Sequence, residues 1–64
     1  MKYKLLKARF DYKAGTIVYD QEVYDYGLAR EDTWETGVEH ISVTLKENGD
    51  YPGFTVAAQD LEVL

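Results

Sequence analysis

The sequence has no cysteine, and only one histidine, one serine and one proline among its 64 residues. Without cysteine the chain can form no disulfide, no thiolate nucleophile and no Cys-based zinc or iron–sulfur site. His40 and Ser42 are the remaining candidates for nucleophilic catalysis, but side chains two positions apart on a strand lie roughly 7 Å apart, too far for a direct hydrogen bond. We therefore predict no catalytic residues and interpret both as polar positions on the outer face of a strand.

Metal and nucleotide motifs are also missing. The acids that begin at Asp20 match the spacing of a calcium loop only in part, because Asp25 stands at position six where the loop glycine is needed, although Glu31 stands at position twelve where a bidentate glutamate follows. The glycines form neither a dinucleotide-binding pattern nor a phosphate loop. The sequence thus predicts no metal and no cofactor.

Long apolar runs are absent. Runs such as Ile17-Val18-Tyr19 are far shorter than the roughly 20 residues of a membrane span. No apolar signal-peptide region follows Met1. We expect a cytoplasmic protein with no membrane association.

Charge is distributed unevenly along the chain, which carries seven basic and twelve acidic residues and a net charge of -5. The first thirteen residues hold five basic side chains against one acid, and we expect these to pair with acids across strands. They are Lys2, Lys4, Lys7, Arg9 and Lys13. The acidic remainder would repel phosphates, so direct nucleic-acid binding is not expected. It favours either solubility or an acidic surface for a basic protein partner.

Strand patterns and turn signals alternate along the chain. The apolar residues Ile41, Val43 and Leu45 alternate with polar ones in a strand over residues 38–45, and Asn48-Gly49 then predicts a type I′ β-hairpin. Further strands are predicted at 16–19, 22–26, 51–56 and 61–64, with a 3₁₀ turn in 57–60. We therefore predict a single all-β domain, residues 1–64, built as a small barrel of about five antiparallel strands.

The N-terminal segment changes its apolar phase between Leu5 and Leu6. We predict a β-bulge at this point, which would turn all apolar side chains of residues 3–12 inward and all charged ones outward. The alternative is a strand that begins only at Leu6. The large aromatics that fit inward positions are Tyr3, Phe10, Tyr12 and Phe54.

Residues 8–14, with the sequence A-R-F-D-Y-K-A, resemble the A-L-Y-D-Y-x-A opening of SH3 domains. The strand, short turn and final strand at the end of the chain resemble the closing segment of that family. The resemblance implies a five-stranded SH3-like barrel with an acidic loop and an aromatic groove for proline-rich peptides. It matches Phe10 and Tyr12 to the opening aromatics, Asp20 and Glu22 to the loop acids, and Trp34 to the groove tryptophan. The family's paired tryptophans and closing P-x-x-Y are absent, so we carry over the barrel and not the groove.

Residues 36–62, T-G-V-E-H-I-S-V-T-L-K-E-N-G-D-Y-P-G-F-T-V-A-A-Q-D-L-E, are similar to small accessory proteins of tailed bacteriophages and prophages. This resemblance brings no activity with it. It implies a phage protein in the host cytoplasm that binds and inhibits a host enzyme or a defence protein.

Aromatic residues are in excess, with six tyrosines, two phenylalanines and one tryptophan. Tyrosine and tryptophan are enriched at protein interfaces. We therefore predict a non-enzymatic protein-binding module in which aromatic anchors lie among acids that steer a basic partner. The predicted surface consists of Tyr24, Tyr26, Trp34, Asp25, Glu31, Asp32 and Glu35.

Two other functions fit the same composition. An acidic nucleic-acid mimic would block the basic cleft of a DNA- or RNA-binding enzyme. A structural subunit, such as a virion component, would self-associate through an exposed strand edge. The sequence leaves the oligomeric state between a monomer and a weak homo-oligomer.

Overall fold

The computed structural model describes residues 1–21, 27–50 and 52–64. The elements, in chain order, are β1 (Lys2–Leu5), β2 (Ile17–Asp20), α1 (Leu28–Thr36), β3 (His40–Thr44), β4 (Gly53–Ala57), a 3₁₀ turn (Ala58–Asp60) and β5 (Leu61–Val63). The strands form one antiparallel sheet in the order β4-β3-β2-β1-β5. An antiparallel sheet of about five strands and a 3₁₀ turn before the last strand are confirmed. The helix α1 corrects the all-β prediction. The predicted strand at 22–26 lies outside the described residues.

The core consists of side chains from four of the five strands, with exposed fractions of 8% or less. These buried residues are Tyr3, Leu5, Val18, Val43 and Val56. The partly buried Tyr12 and Phe54 pack against them, as predicted. Burying each large apolar side chain contributes about 1.5–3 kcal/mol before entropy is counted.

The chain leaves the sheet directly after β1, so the predicted bulge is wrong, and so is the alternative of a strand that begins at Leu6. The amide of Leu5 donates to Thr16 O at 2.9 Å, and Leu5 O accepts from the amide of Gly15 at 2.7 Å. These bonds close residues 6–15 into a loop, in which Leu6 and Phe10 are exposed. Phe10 has a φ of +53° and is 68% exposed, which corrects its predicted inward position.

The connection between β3 and β4 spans residues 45–52, so the predicted two-residue type I′ turn is wrong. That turn requires a positive φ at both central residues. Among the described residues Gly49 has a φ of +78°, but Asn48 does not have a positive φ. The amide of Gly49 instead donates to Lys46 O at 3.0 Å, and the Asn48 side chain accepts from the Asp50 amide.

A buried hydroxyl organises this longer connection. Thr44 is fully buried, and its Oγ1 accepts a hydrogen bond from the Lys46 amide at 3.1 Å. The same oxygen lies 2.9 Å from the carbonyl oxygens of both Asp50 and Pro52, which share its one proton. One buried side chain therefore contacts three backbone groups of the connection.

Cross-strand ion pairs involve the basic N-terminal segment, as predicted. Lys4 lies opposite Glu62 in the β1–β5 register, and their charged atoms are 3.2 Å apart. Lys7 and Asp60 form a longer pair of 3.8 Å. Exposed pairs of this kind stabilise by about 0.2–1 kcal/mol each.

The helix α1 begins after Gly27 and ends before Gly37, and both glycines have left-handed backbone conformations. The amide of Gly37 donates to Thr33 O at 2.9 Å and closes the last turn. Within the described ranges no helix is long and apolar enough to cross a membrane.

Candidate functional site

The inward side of α1 is made of small residues. Ala29 is the buried residue of the helix. Thr33 Oγ1 donates to Ala29 O at 2.7 Å and accepts from the His40 amide at 2.8 Å, which ties the helix to β3. Hydroxyl contacts and one methyl group therefore dock this helix, in place of the apolar stripe that usually does so.

The outward side of α1 carries the large apolar residues. Trp34 is 84% exposed and Leu28 is 54% exposed. Glu31 and Glu35 are exposed on the same side, and Glu31 lies one helical turn from both Leu28 and Trp34. We call the surface of Leu28, Glu31, Trp34 and Glu35 the outer helix face. It places two apolar side chains around a carboxylate, in contact with water.

Asp32 lies at the edge of the helix that faces β4. It is half-buried, and its carboxylate accepts a hydrogen bond from the Thr55 hydroxyl of β4. Arg9 Nη2 donates to the same hydroxyl at 3.3 Å, and Arg9 Nε donates to the backbone oxygen of Thr55 at 2.9 Å. This chain of contacts holds α1 and the 6–15 loop against β4.

The predicted binding surface is thus only partly assembled on α1. Trp34, Glu31 and Glu35 share the outer helix face, whereas Asp32 points toward β4. Tyr24, Asp25 and Tyr26 lie outside the described residues, and their role stays a prediction. Leu28 was missed by the sequence interpretation, although a helical projection of residues 28–36 places it one turn from Glu31.

An aromatic groove lies on another part of the surface, with a volume of about 540 Å³. The rings of Tyr12 and Phe54 stack at 4.8 Å, and Phe10 meets Phe54 edge-on at 6.1 Å. Leu45 and Pro52 also line the groove. Trp34 does not line this groove, so it does not lie where the SH3 resemblance expects a groove tryptophan.

A polar pocket of about 450 Å³ lies between α1 and the sheet, and His40 and Ser42 are both part of its lining. His40 Nδ1 is 2.7 Å from Val38 O. Because a carbonyl oxygen can only accept, Nδ1 carries the proton and is engaged by the backbone. In the described part of the chain, no three His, Asp or Glu side chains converge as a metal site would require.

Asp20, which the SH3 resemblance matches to a loop acid, is the last residue of β2. Its carboxylate accepts hydrogen bonds from the Tyr3 hydroxyl at 2.9 Å and from the amino group of Met1 at 3.0 Å. Burial raises the pKa of the Tyr3 phenol above its usual 10.0, and the hydrogen bond to Asp20 and its negative charge add to the effect. This cluster holds the start of β1 against β2.

Comparisons with known proteins return no match, either to a family model, to a curated protein or to a solved structure. The candidate site is therefore defined by its geometry. Of the surfaces described, the outer helix face is the one that exposes a tryptophan side chain to water.

Proposed function

We propose that the chain is a non-enzymatic protein-binding module and that the outer helix face is its binding surface. The observation that carries the proposal is the 84% exposure of Trp34 on a helix docked through alanine and threonine. Tryptophan supplies a large rigid contact area and is among the residues most enriched in binding hot spots. The exposed indole ring does not stabilise the fold. A partner that covers this ring gains the free energy of burying its apolar surface.

The charge of the surface favours a basic partner. Glu31 and Glu35 flank Trp34 on the outer helix face, and α1 as a whole carries three acids against Arg30. The net charge of -5 adds a long-range attraction for cationic surfaces. Such complementarity raises association rates and sets the orientation of docking, while the aromatic anchor supplies affinity.

We also propose that the sheet is an SH3-like barrel. Three features support this assignment: the strand order β4-β3-β2-β1-β5, the loop of residues 6–15 that carries the A-R-F-D-Y-K-A segment, and the 3₁₀ turn before β5. In this scheme α1 occupies the connection between β2 and β3 and carries the binding surface. The likeness of residues 36–62 to phage accessory proteins supports a role in the host cytoplasm as an inhibitor of a host or defence protein.

The test compares two truncations of exposed aromatic residues. Partners captured from a bacterial lysate by the wild-type protein are identified, purified and titrated by calorimetry against Trp34→Ala and Phe10→Ala. We expect Trp34→Ala to weaken binding about 30-fold or more, a typical hot-spot loss of 2 kcal/mol, and Phe10→Ala to bind like wild type. Equal binding by Trp34→Ala would overturn the proposal.

Two other outcomes identify a different function. Loss of binding in Phe10→Ala alone would move the interface to the aromatic groove. Competition by added duplex DNA for the captured partner would favour the nucleic-acid mimic, because a mimic occupies the cleft where phosphates bind.

A further inference from the structure

Among the described strands, β4 is the last on one side of the sheet, and the backbone of this strand faces outward at its centre. The residues of β3 and β4 that lie opposite each other include Ser42 with Thr55 and Val43 with Phe54. Ser42 turns its carbonyl to β2, where it accepts from the Gln21 amide at 3.1 Å. In an antiparallel ladder, two opposite residues either exchange both backbone hydrogen bonds or both direct their amides and carbonyls away from each other. Ser42 directs its carbonyl away from Thr55, so the amide and carbonyl of Thr55 point away from β3.

Arg9 occupies this outward edge. Its guanidinium donates to the Thr55 carbonyl at 2.9 Å and to the Thr55 hydroxyl at 3.3 Å. The same group lies 4.3 Å from the ring centroid of Phe10, which fixes it from the solvent side. Arg9 is half-buried in this position, although its neighbours Ala8 and Phe10 are exposed. A side chain from the 6–15 loop thus takes the place that a neighbouring strand would take.

The strand under Arg9 is suited to pairing with a copy of itself. Its sequence, G-F-T-V-A, contains no charged residue, and charged side chains are the usual protection of an edge strand. An antiparallel pair centred on Thr55 would place Phe54 opposite Val56 of the second copy, an aromatic and β-branched pair that stabilises sheets.

The other edge of the sheet lacks this property. β5 has only three residues, and Glu62 stands at its centre. Symmetric pairing of two β5 strands would set Glu62 opposite its own copy, and like charges in that position are destabilising. Of the two edges, β4 is therefore the one that matches a second copy of this chain.

We propose that β4 is a strand-addition site for β4 of a second copy, and that Arg9 keeps this site closed in the monomer. Opening it requires the two Arg9 hydrogen bonds to break, after which the Thr55 amide and carbonyl of each copy pair with those of the other. The site is separate from the outer helix face, and the protein-binding proposal does not depend on it.

The test is the oligomeric state of Arg9→Ala, with Lys13→Ala as the matched control that removes a positive charge from the same loop. Light scattering and sedimentation equilibrium give the mass over a broad concentration range. We expect wild type and Lys13→Ala to remain near the chain mass of 7.4 kDa. Arg9→Ala is expected to dimerise at least about tenfold more tightly, because no bonds need to be broken first.

Hydrogen exchange measured by NMR then locates the contact. In an Arg9→Ala dimer the Thr55 amide should become protected, while the amides of β5 should exchange as they do in the monomer. A folded Arg9→Ala protein that stays monomeric overturns the proposal, and so does a dimer protected at Val63 instead of Thr55. If Arg9→Ala does not fold, Arg9→Lys decides the matter. Lysine keeps the charge and much of the stem of Arg9 but has one donor nitrogen. An Arg9→Lys protein that dimerises no more tightly than wild type would therefore also overturn the proposal.

Discussion

The hydroxyl of Thr55 donates a hydrogen bond to the carboxylate of Asp32, and this contact joins β4 to α1. Thr55 is 7% exposed, and its hydroxyl also accepts a hydrogen bond from Arg9. A neutral side chain thus lies between a cation and an anion that do not touch each other directly. This chain of three residues links α1 to β4, in addition to the contact of Thr33 with β3.

Replacing Thr55 by valine keeps the shape of the side chain and removes its hydroxyl. We expect Thr55→Val to lower the free energy of unfolding by about 1–3 kcal/mol, because the polar groups of Arg9 and Asp32 lose a buried partner. Urea denaturation followed by circular dichroism measures the change. The double variant with Asp32→Asn should show less than the sum of the two single effects, and full additivity would argue against a shared contact.

Replacing Thr44 by valine tests the organisation of the 45–52 connection. The buried Thr44 hydroxyl serves one amide and two carbonyl groups, so we expect a loss of about 1–3 kcal/mol in the free energy of unfolding. The matched control is Thr16→Val, which removes a hydroxyl with a single exposed contact to Lys13 O. A control that costs as much as Thr44→Val would contradict the assigned role.

Two glycines are required for different reasons. A Cβ on Gly53 would lie 2.6 Å from the backbone oxygen of Val43 and closer still to the Gln21 side chain, so we expect Gly53→Ala to cost about 1–3 kcal/mol of stability through overpacking. A Cβ on Gly37 would meet open space, but its φ of +73° disfavours other residues, which predicts a loss of about 1 kcal/mol for Gly37→Ala.

Asparagine separates the two causes, because it tolerates the left-handed conformation better than alanine but is no smaller. Thermal and urea unfolding should show Gly37→Asn more stable than Gly37→Ala, and Gly53→Asn no more stable than Gly53→Ala. A recovery at position 53 would mean that the backbone conformation, and not the close approach of Val43, fixes glycine there.

The raised pKa of Tyr3 predicts a loss of stability in alkaline solution. Because the folded protein holds the phenolic proton more tightly than the unfolded chain, this contribution is complete below the unfolded pKa of about 10 and is lost as the pH rises through the higher folded pKa. Urea unfolding from neutral to alkaline pH should show a steeper decline for wild type than for Tyr3→Phe. Parallel curves for the two proteins would be inconsistent with the buried environment of Tyr3.

The alternating pattern around Ile41 and Val43 is sufficient to predict the strand β3. It does not predict which residues are buried, because Thr44 is fully buried and Leu45, predicted on the apolar side, is 45% exposed. The 3₁₀ turn and β5 are predicted from the local sequence. The helix was missed because its inward residues are Ala29 and Thr33, which form no apolar stripe. Its docking depends on hydroxyl contacts to β3 and β4 that are distant in the sequence.

Long-range contacts also explain the errors near the N-terminus and at the hairpin. The apolar pattern of residues 6–12 predicts an inward Phe10, but Phe10 is exposed. Arg9 is half-buried instead, because its guanidinium donates to the Thr55 carbonyl at the edge of β4. The Asn48-Gly49 pair predicts a tight turn, but the buried Thr44 hydroxyl pairs with a longer connection. For the candidate site, the polar context of Trp34, Glu31 and Glu35 was sufficient to predict a surface position, whereas Leu28 required the helix to be known.

The exposure of Trp34 has a practical consequence, since it is the single tryptophan of the chain. Indole emission shifts to shorter wavelength when the ring passes from water into an apolar contact. The unbound protein should therefore emit like a hydrated indole, and occupation of the outer helix face should change the colour of that emission. The fluorescence of this single indole can therefore be used to detect binding at the surface where we expect a partner to dock.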